Sequence, residues 1–239
     1  MTFIVSAIGW LGTALSIFLV LAPYRTLANA LRQKQGKASS SDTIDISTSP
    51  DSLSPFPYLA LCISALLWVT YGIIVEDMVI VITNAFGFCA ACYYNWLFYI
   101  ITDRKEEFIS KCSIALIIYI VALGFVLFVA PTHKVVSYLG FIAAVGGIVM
   151  FGSPLVHLKQ VLEKQNAESI PLLVAVANTS CSFVWMLYGY LLSNSAILVP
   201  NLLGCCLGVI QLSLKYMYRN RGLQTKVFSM PVGVVSDNV

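Results

Sequence analysis

The sequence predicts an all-α membrane protein whose seven transmembrane helices form a 3+1+3 parallel repeat of triple-helix bundles. Three observations support this fold class. Hydrophobic residues make up 59% of the chain and charged residues only 10%, whereas soluble domains have roughly 45–50% and about 25%. Seven apolar runs are each long enough to cross a hydrocarbon core, which needs about 20 residues. One motif also occurs twice, 117 residues apart.

The seven apolar runs give the predicted helices in chain order. They lie near residues 4–31, 57–75, 78–101, 112–130, 135–158, 171–192 and 196–218. The predicted domains are a first triple-helix bundle at 1–101, linker helix four at 112–130, a second triple-helix bundle at 135–218 and a cytosolic polar tail at 219–239. A segment at about 36–54 is rich in serine, threonine and aspartate and cannot bury enough apolar surface to fold alone. We therefore expect it to be a mobile cytosolic loop of the first bundle.

The basic residues predict the orientation of the helices. With the N-terminus outside, thirteen of the fourteen lysines and arginines fall in cytosolic segments, and only Lys134 falls outside. Such an excess marks the cytosolic side of a membrane protein. We therefore expect an integral membrane protein with a cytosolic C-terminus, in the plasma membrane, with an internal membrane as the alternative. The net charge of +3 follows from this orientation and indicates no nucleic-acid partner.

The repeated motif reads W-x-x-Y-G followed by N-x-x-G. Its two copies contain Trp68, Tyr71, Gly72, Asn84 and Gly87, and Trp185, Tyr188, Gly189, Asn201 and Gly204. Prolines extend the repeat, because Pro23 and Pro154 each lie 14 residues after a glycine, and Pro57 and Pro171 each open a predicted helix. Four helices precede the second copy, so both copies have the same orientation. Their pseudo-two-fold axis therefore runs along the membrane normal.

The sequence resembles the SWEET (MtN3/saliva) family of sugar transporters, a known example of a parallel repeat. The likeness covers residues 9–218 and rests on eight segments in order. These are LAPYRTL, FPYL, SALLWVTYG and TNAFG in the first half, and GSPLVHLKQVL, ESIPLL, FVWMLYG and VPNLLG in the second. The resemblance implies an uncoupled, bidirectional sugar facilitator in which two three-helix halves give alternating access to a central pocket. It also implies a lipid bilayer as the surroundings and assembly as a homo-oligomer.

Paired asparagines and tryptophans are the first candidate substrate-binding residues. A buried amide without a partner costs roughly 1–3 kcal/mol, so Asn84 and Asn201 each need a hydrogen bond. A bond between helices, worth about 0.6 kcal/mol on average in a membrane, is one interpretation, and a shared polar site is the other. An amide has both donor and acceptor groups, as sugar hydroxyls do. Trp68 and Trp185 offer apolar faces for a pyranose, although tryptophans also anchor helices at interfaces. The resemblance implies that all four residues line the central pocket.

Further pocket positions follow from the resemblance, by their distance from the prolines. They are Ser16 and Leu19 before Pro23, Gly147 and Met150 before Pro154, and Ser64 and Asn178 after Pro57 and Pro171. In the family these positions distinguish monosaccharides from disaccharides. Met150 and Asn178 are larger than the residues of sucrose-type members, so they favour a hexose such as glucose over sucrose.

Four prolines are the candidate hinges. Proline lacks an N–H and kinks or ends a helix, although Pro57 and Pro171 also suit a helix start. The resemblance implies that Pro23, Pro57, Pro154 and Pro171 form a ring near the cytosolic side that acts as a hinge or gate. Pro200 has no counterpart in the first half and is a candidate break in helix seven.

Several absences narrow the class of protein. No acidic or basic residue lies well inside a predicted helix, so nothing indicates coupling of transport to H⁺ or Na⁺. The Cys89-x-x-Cys92 pair lies in an apolar helix without a second cluster, where packing explains it better than a metal. We therefore expect no metal and no cofactor. No nucleophile, base or metal cluster converges, so we do not expect an enzyme.

Two alternative functions remain. The first is a PQ-loop-type transporter of amino acids or another small solute, which has the same 3+1+3 plan. Its Pro-Gln dipeptides are replaced here by Pro23-Tyr24 and Pro154-Leu155. The second is a seven-helix receptor, but the D-R-Y and N-P-x-x-Y motifs of such receptors are absent from helices three and seven.

Overall fold

The computed structural model describes residues 3–36, 53–149, 152–167 and 170–218. Within these ranges the chain forms nine α-helices, one π-helical segment (Phe125–Val129) and one 3-10 helix (Thr132–Lys134). The α-helices are α1 (Phe3–Leu21), α2 (Tyr24–Lys34), α3 (Phe56–Ile74), α4 (Met78–Ile101), α5 (Lys105–Gly124), α6 (Val135–Val149), α7 (Gly152–Lys164), α8 (Leu172–Leu191) and α9 (Ser195–Met217). Seven helical segments of this described part are long and apolar enough to cross a membrane, which confirms the predicted number.

The helices form two halves of the same plan. We call α1–α4 the first half and α6–α9 the second half, with α5 between them along the chain. Within the halves α3 packs extensively on α4, and α8 on α9. Between the halves α1 packs on α8, and α3 packs on α6. We call the end of the bundle at Pro23 and Pro171 the proline end. The opposite end, where α3 turns into α4 and α8 turns into α9, is the cap end.

The first predicted helix is divided in two. The first run of apolar residues ends as α1 at Leu21, and Pro23 is the N-cap of α2. The hydroxyl of Tyr94 donates to the Val20 carbonyl at 2.8 Å, beside this break. Because proline cannot donate a helical hydrogen bond, carbonyls before it need another donor. The fifth run is described as α6 up to Val149 and as α7 from Gly152, and Pro154 lies in α7.

Close contacts between the halves require glycine at two equivalent positions. A Cβ atom on Gly9 of α1 would lie 2.7 Å from Cε2 of Tyr188, and one on Gly140 of α6 would lie 2.9 Å from Cε2 of Tyr71. Both distances are far shorter than a carbon–carbon contact of about 3.5–4.0 Å. Each tyrosine of the repeated motif therefore packs on a glycine of the opposite half.

The linker helix α5 packs on the first half. The hydroxyls of Tyr119 and Thr70 lie 3.1 Å apart, and the rings of Phe108 and Phe98 are 5.2 Å apart between centroids. The helix begins at Lys105, seven residues earlier than the predicted start at 112. Its first turns are polar and exposed, so the apolar run marks only its membrane part.

One buried hydrogen bond occurs in the first half without an equivalent in the second. Oγ1 of Thr13 on α1 lies 2.7 Å from Oγ1 of Thr83 on α4. The equivalent residues of the second half are Ala144 and Pro200. Pro200 lies inside α9, which continues without interruption. The predicted break in helix seven is therefore wrong.

Some predicted features lie outside the described residues. The predicted loop at 36–54 is described only at residues 36 and 53–54, and the predicted tail at 219–239 is not described. Met150 also lies outside the described ranges, and the side chain of Pro154 is among those that the structure does not describe.

The glycine contacts give a prediction about stability. Replacing Gly9 by Ala places a methyl group against the Tyr188 ring, and overpacking of this kind costs about 1–3 kcal/mol. Gly124 at the end of α5 is the matched control, because a Cβ there meets nothing within 4 Å. We expect thermal unfolding of the purified protein in detergent to show a lower Tm for Gly9→Ala and an unchanged or higher Tm for Gly124→Ala. Equal shifts would contradict the close packing of α1 on α8.

Candidate functional site

At the cap end a buried carboxylate joins the two halves. Asp77 is the N-cap of α4, and its Oδ1 accepts hydrogen bonds from the backbone N–H groups of Val79 at 3.0 Å and Ile80 at 3.2 Å. Its Oδ2 accepts a hydrogen bond of 2.7 Å from the hydroxyl of Tyr188 on α8. Only 5% of Asp77 is exposed. A hydrogen bond to an ionised carboxylate is about twice as strong as a neutral one, so this contact is a strong link between the halves.

The second half provides the equivalent contact in neutral form. Asn194 is the N-cap of α9, and its Oδ1 accepts hydrogen bonds from the N–H groups of Ala196 at 3.1 Å and Ile197 at 3.4 Å. Its Nδ2 donates to the hydroxyl of Tyr71 on α3 at 2.8 Å. Each motif tyrosine is thus bonded to the helix cap of the opposite half. We call these two bonds the cap-end closure.

Asp77 and Asn194 are not among the predicted site residues. Both lie between the predicted apolar runs rather than inside them. The signal was present in the repeat, since each residue follows its motif tyrosine by six positions, at the same offset of 117. Aspartate and asparagine are also preferred N-cap residues.

Trp185 is held by the first half. Its Nε1–H donates to Oγ of Ser16 on α1 at 2.9 Å, and the same oxygen lies 3.4 Å from Sγ of Cys181. The Trp185 ring also meets Tyr188 edge-on, with centroids 5.4 Å apart. A Cβ on Gly12 of α1 would lie 3.0 Å from the indole. The predicted residues Ser16 and Trp185 are therefore brought together.

Trp68 has a similar aromatic contact but lacks the serine. Its ring meets Tyr71 edge-on at 5.5 Å and an interplanar angle of 83°, close to the 85° of the other pair. The residue of α6 equivalent to Ser16 is Gly147. A Cβ on Gly147 would meet nothing within 4 Å. An open space therefore replaces the serine on this side of the site.

The two motif asparagines do not bond to another helix in the described part of the chain. Nδ2 of Asn84 donates to the Ile80 carbonyl at 2.9 Å, and Nδ2 of Asn201 donates to the Ile197 carbonyl at 2.7 Å. Each bond stays within its own helix, four residues back. An amide oxygen accepts up to two hydrogen bonds, and no donor to either Oδ1 occurs among the described residues. The interpretation as a bond between helices is thus not supported.

The remaining predicted site residues lie in different surroundings. Ser64 is buried and Leu19 is half-buried, whereas Asn178 is exposed. No hydrogen bond joins Asn178 to Trp185 among the described residues, although both lie on one face of α8. Cys181, four residues before Trp185, occupies the position equivalent to Ser64, four residues before Trp68. Counting from the tryptophans instead of the prolines would have identified Cys181.

The predicted proline ring is described in part. Pro23 is half-buried, while Pro57 and Pro171 are exposed. Pro171 is the N-cap of α8, and Pro55, which the sequence analysis did not single out, is the buried N-cap of α3. The interpretation of these prolines as helix starts therefore fits α3 and α8, and their role as hinges stays a prediction.

Two helical halves of the same plan, packed on each other through α1 with α8 and α3 with α6, are typical of a membrane transporter. A family model described as "Sugar efflux transporter for intercellular exchange" (MtN3_slv) matches residues 6–106 and 137–223. The chain belongs to this family, also called the SWEET family. The predicted family membership is therefore confirmed, and the protein is an integral membrane protein.

Individual relatives agree with this assignment. The bidirectional sugar transporter SWEET10 of Arabidopsis thaliana is 30% identical over 230 residues, which are 93% of this chain and 73% of the relative. The sugar transporter SWEET1 of Drosophila pseudoobscura pseudoobscura is 29% identical over 170 residues, which are 70% of this chain and 75% of the relative. The fold matches the structure of a eukaryotic SWEET transporter with a TM-score of 0.76 at 23% identity, over 90% of this chain and 97% of that chain. The predicted fold class is thereby confirmed.

The unequal bonds of the cap-end closure give a second prediction. Tyr188→Phe leaves the Oδ2 atom of buried Asp77 without a donor, which costs about 1–3 kcal/mol. Tyr71→Phe removes a neutral bond, worth about 0.5–1.5 kcal/mol, and is the matched control. We expect Tyr188→Phe to lower the free energy of unfolding more, and to speed hydrogen exchange at the start of α4 more than Tyr71→Phe does at the start of α9. A larger effect of Tyr71→Phe would show that the carboxylate bond is not the stronger link.

Proposed function

We propose that this protein is a facilitator that carries a small sugar down its concentration gradient in either direction. The main support is the position of Asn84 and Asn201 relative to the cap-end closure. Each lies seven residues after its helix cap, which is nearly two helical turns and about 10 Å along the axis. Each therefore shares a face with a cap residue that contacts the opposite half. We infer from this register that the two amide oxygens, which have no donor among the described residues, lie beneath the closed end and between the halves.

The side chains at this level suit a sugar. Amide oxygens accept hydrogen bonds from hydroxyls, and the indole faces of Trp68 and Trp185 are apolar surfaces for the C–H face of a pyranose. The relatives named as bidirectional sugar transporters support the same substrate class. The family description, which names sugar efflux, agrees with it.

We favour a hexose over sucrose because one side of the site is occupied. Ser16, Cys181 and Trp185 contact one another and fill the region between α1 and α8. Open space is left at Gly147 on the other side. One pyranose ring fits this division better than two linked rings.

We propose that the two halves work by alternating access. The cap-end closure separates the site from one side of the membrane, and its release gives access from that side. Because of the excess of basic residues in the loops at the proline end, we assign that end to the cytosol. The cap end then faces outward, at the plasma membrane in our proposal. Pro23, Pro57, Pro154 and Pro171 are the proposed hinges, and beside Pro23 the Val20 carbonyl accepts a hydrogen bond from the Tyr94 side chain instead of a helical one.

The cap-end closure also supports uncoupled transport. Asp77 is a buried carboxylate, which in a membrane protein often marks an ion or proton site. Its oxygens are already engaged by two backbone N–H groups and by the hydroxyl of Tyr188. We therefore assign it to closure of the cap end rather than to an ion.

The asparagines give the central test of the proposed function. Asn84→Ala and Asn201→Ala each remove an acceptor for the sugar, so we expect at least a tenfold loss of uptake in proteoliposomes with assembly intact. Counterflow of labelled glucose, fructose and sucrose measures activity and selectivity together, and amino acids tested in parallel cover the PQ-loop alternative. Ser113→Ala is the control, because the Ser113 hydroxyl is exposed on α5 and bonds only to its own helix. Wild-type rates of sugar uptake for both asparagine variants would contradict the proposal, and so would transport of amino acids alone.

Uncoupled transport has its own test. We expect labelled glucose to reach the same concentration inside and outside proteoliposomes, whether or not a pH or sodium gradient is imposed. A protonophore should leave the final level and the initial rate unchanged. Accumulation above the external concentration under either gradient would assign Asp77 to ion coupling instead.

A further inference from the structure

We propose that the two tryptophans of the site have different tasks. Trp68 donates its indole N–H to a hydroxyl of the sugar, whereas Trp185 is fixed by Ser16 and offers only its ring. The repeat alone would make the two residues equivalent. This inference rests on the proposed sugar transport and names the group in the site that selects among hydroxyls.

The indole N–H of Trp185 is already used. It donates to Oγ of Ser16 at 2.9 Å, and that oxygen is also within 3.4 Å of Sγ of Cys181. An indole nitrogen carries one hydrogen and accepts none. A sugar beside Trp185 can therefore stack on its ring, but it receives no hydrogen bond from the indole while Ser16 is in place.

The place equivalent to Ser16 in the other interface is Gly147. The two tryptophans have nearly the same geometry against their tyrosines, at 5.5 and 5.4 Å between centroids. The α3–α6 interface repeats the α8–α1 interface. From this symmetry we infer that the Trp68 N–H is directed towards the part of α6 that carries Gly147, where no atom lies within 4 Å of an added Cβ. Gly147 has no side chain, and the space above it is open.

No hydrogen bond to the Trp68 indole occurs among the described residues. Its nitrogen is also absent from the buried polar atoms without a partner in those ranges, where only Oδ1 of Asn95 is found. The N–H is therefore accessible as well as unbonded. An accessible donor, together with the two amide oxygens of the proposed site, complements a hydroxyl, which both accepts and donates.

The unequal pair Ser16 and Gly147 therefore controls which tryptophan binds a hydroxyl. Introducing serine at 147 should capture the Trp68 N–H, as Ser16 captures that of Trp185. Removing the hydroxyl at 16 should release the Trp185 N–H. Exchanging both residues should move the hydrogen bond from one half of the site to the other.

The experiment measures KM for glucose and for a series of monodeoxyglucoses in proteoliposomes. The wild-type protein should discriminate against one member of the series, the one that lacks the bonded hydroxyl. Trp68→Phe, which keeps an aromatic face, should raise KM for glucose between about twofold and about tenfold and abolish that discrimination. Trp185→Phe should preserve the discrimination. Gly147→Ser should behave as Trp68→Phe does.

The exchange variant gives the sharpest readout. In Ser16→Gly/Gly147→Ser, Trp185→Phe should abolish the discrimination between hydroxyls and Trp68→Phe should preserve it. Trp96→Phe is the matched control, because Trp96 is exposed on α4 and lies outside the site. Thermal unfolding of every variant in detergent verifies that it is folded.

Two outcomes separate the inference from the proposed function. A wild-type protein that carries glucose, with a discrimination pattern that Trp68→Phe leaves intact, overturns the division of tasks and leaves sugar transport standing. The same holds if Trp185→Phe alone abolishes the pattern. A folded wild-type protein that carries no sugar overturns both. Loss of the pattern in Trp68→Phe and Gly147→Ser, with its retention in Trp185→Phe and Trp96→Phe, supports the inference.

Discussion

Two hydrogen bonds at the cap end hold the halves of this protein in register, and the arrangement of the site depends on them. Tyr188 bonds to Asp77, and Tyr71 bonds to Asn194, so each half supplies one tyrosine and one helix cap. The bonds fix the rotation of α4 and α9 about their axes. Asn84 and Asn201 follow on the same faces, so in the proposed function this rotation also directs both amides between the halves.

The apolar runs and the repeat predicted the number of helices, their order and their orientation relative to one another. The site was only partly predictable. Which residue of the second half is equivalent to a residue of the first depends on whether positions are counted from the prolines or from the tryptophans. The stretch from Pro171 to Trp185 is three residues longer than that from Pro57 to Trp68. Three residues are nearly one helical turn, so counting from the prolines selects Asn178 rather than Cys181. The tryptophans are the better landmark because they pack against the opposite half.

Differences between the halves were harder to predict, because they depend on single contacts rather than on composition. The hydroxyl pair of Thr13 and Thr83 joins α1 to α4, while the second half has Ala144 and Pro200 at these positions. The bond between Ser16 and Trp185 likewise occurs at only one of two related places. Serine and glycine at equivalent positions are visible in the sequence. Only the structure shows that the serine captures an indole N–H.

The two oxygens of the Asp77 carboxylate accept hydrogen bonds from different elements. Oδ1 caps α4, and Oδ2 receives the Tyr188 hydroxyl. The tyrosine can therefore leave without uncapping the helix. In the proposed alternating-access cycle, the two end states then differ by a few contacts, each worth roughly 0.5–3 kcal/mol. The proposed uncoupled transport requires such a small difference, because thermal energy alone must return the carrier to its starting form.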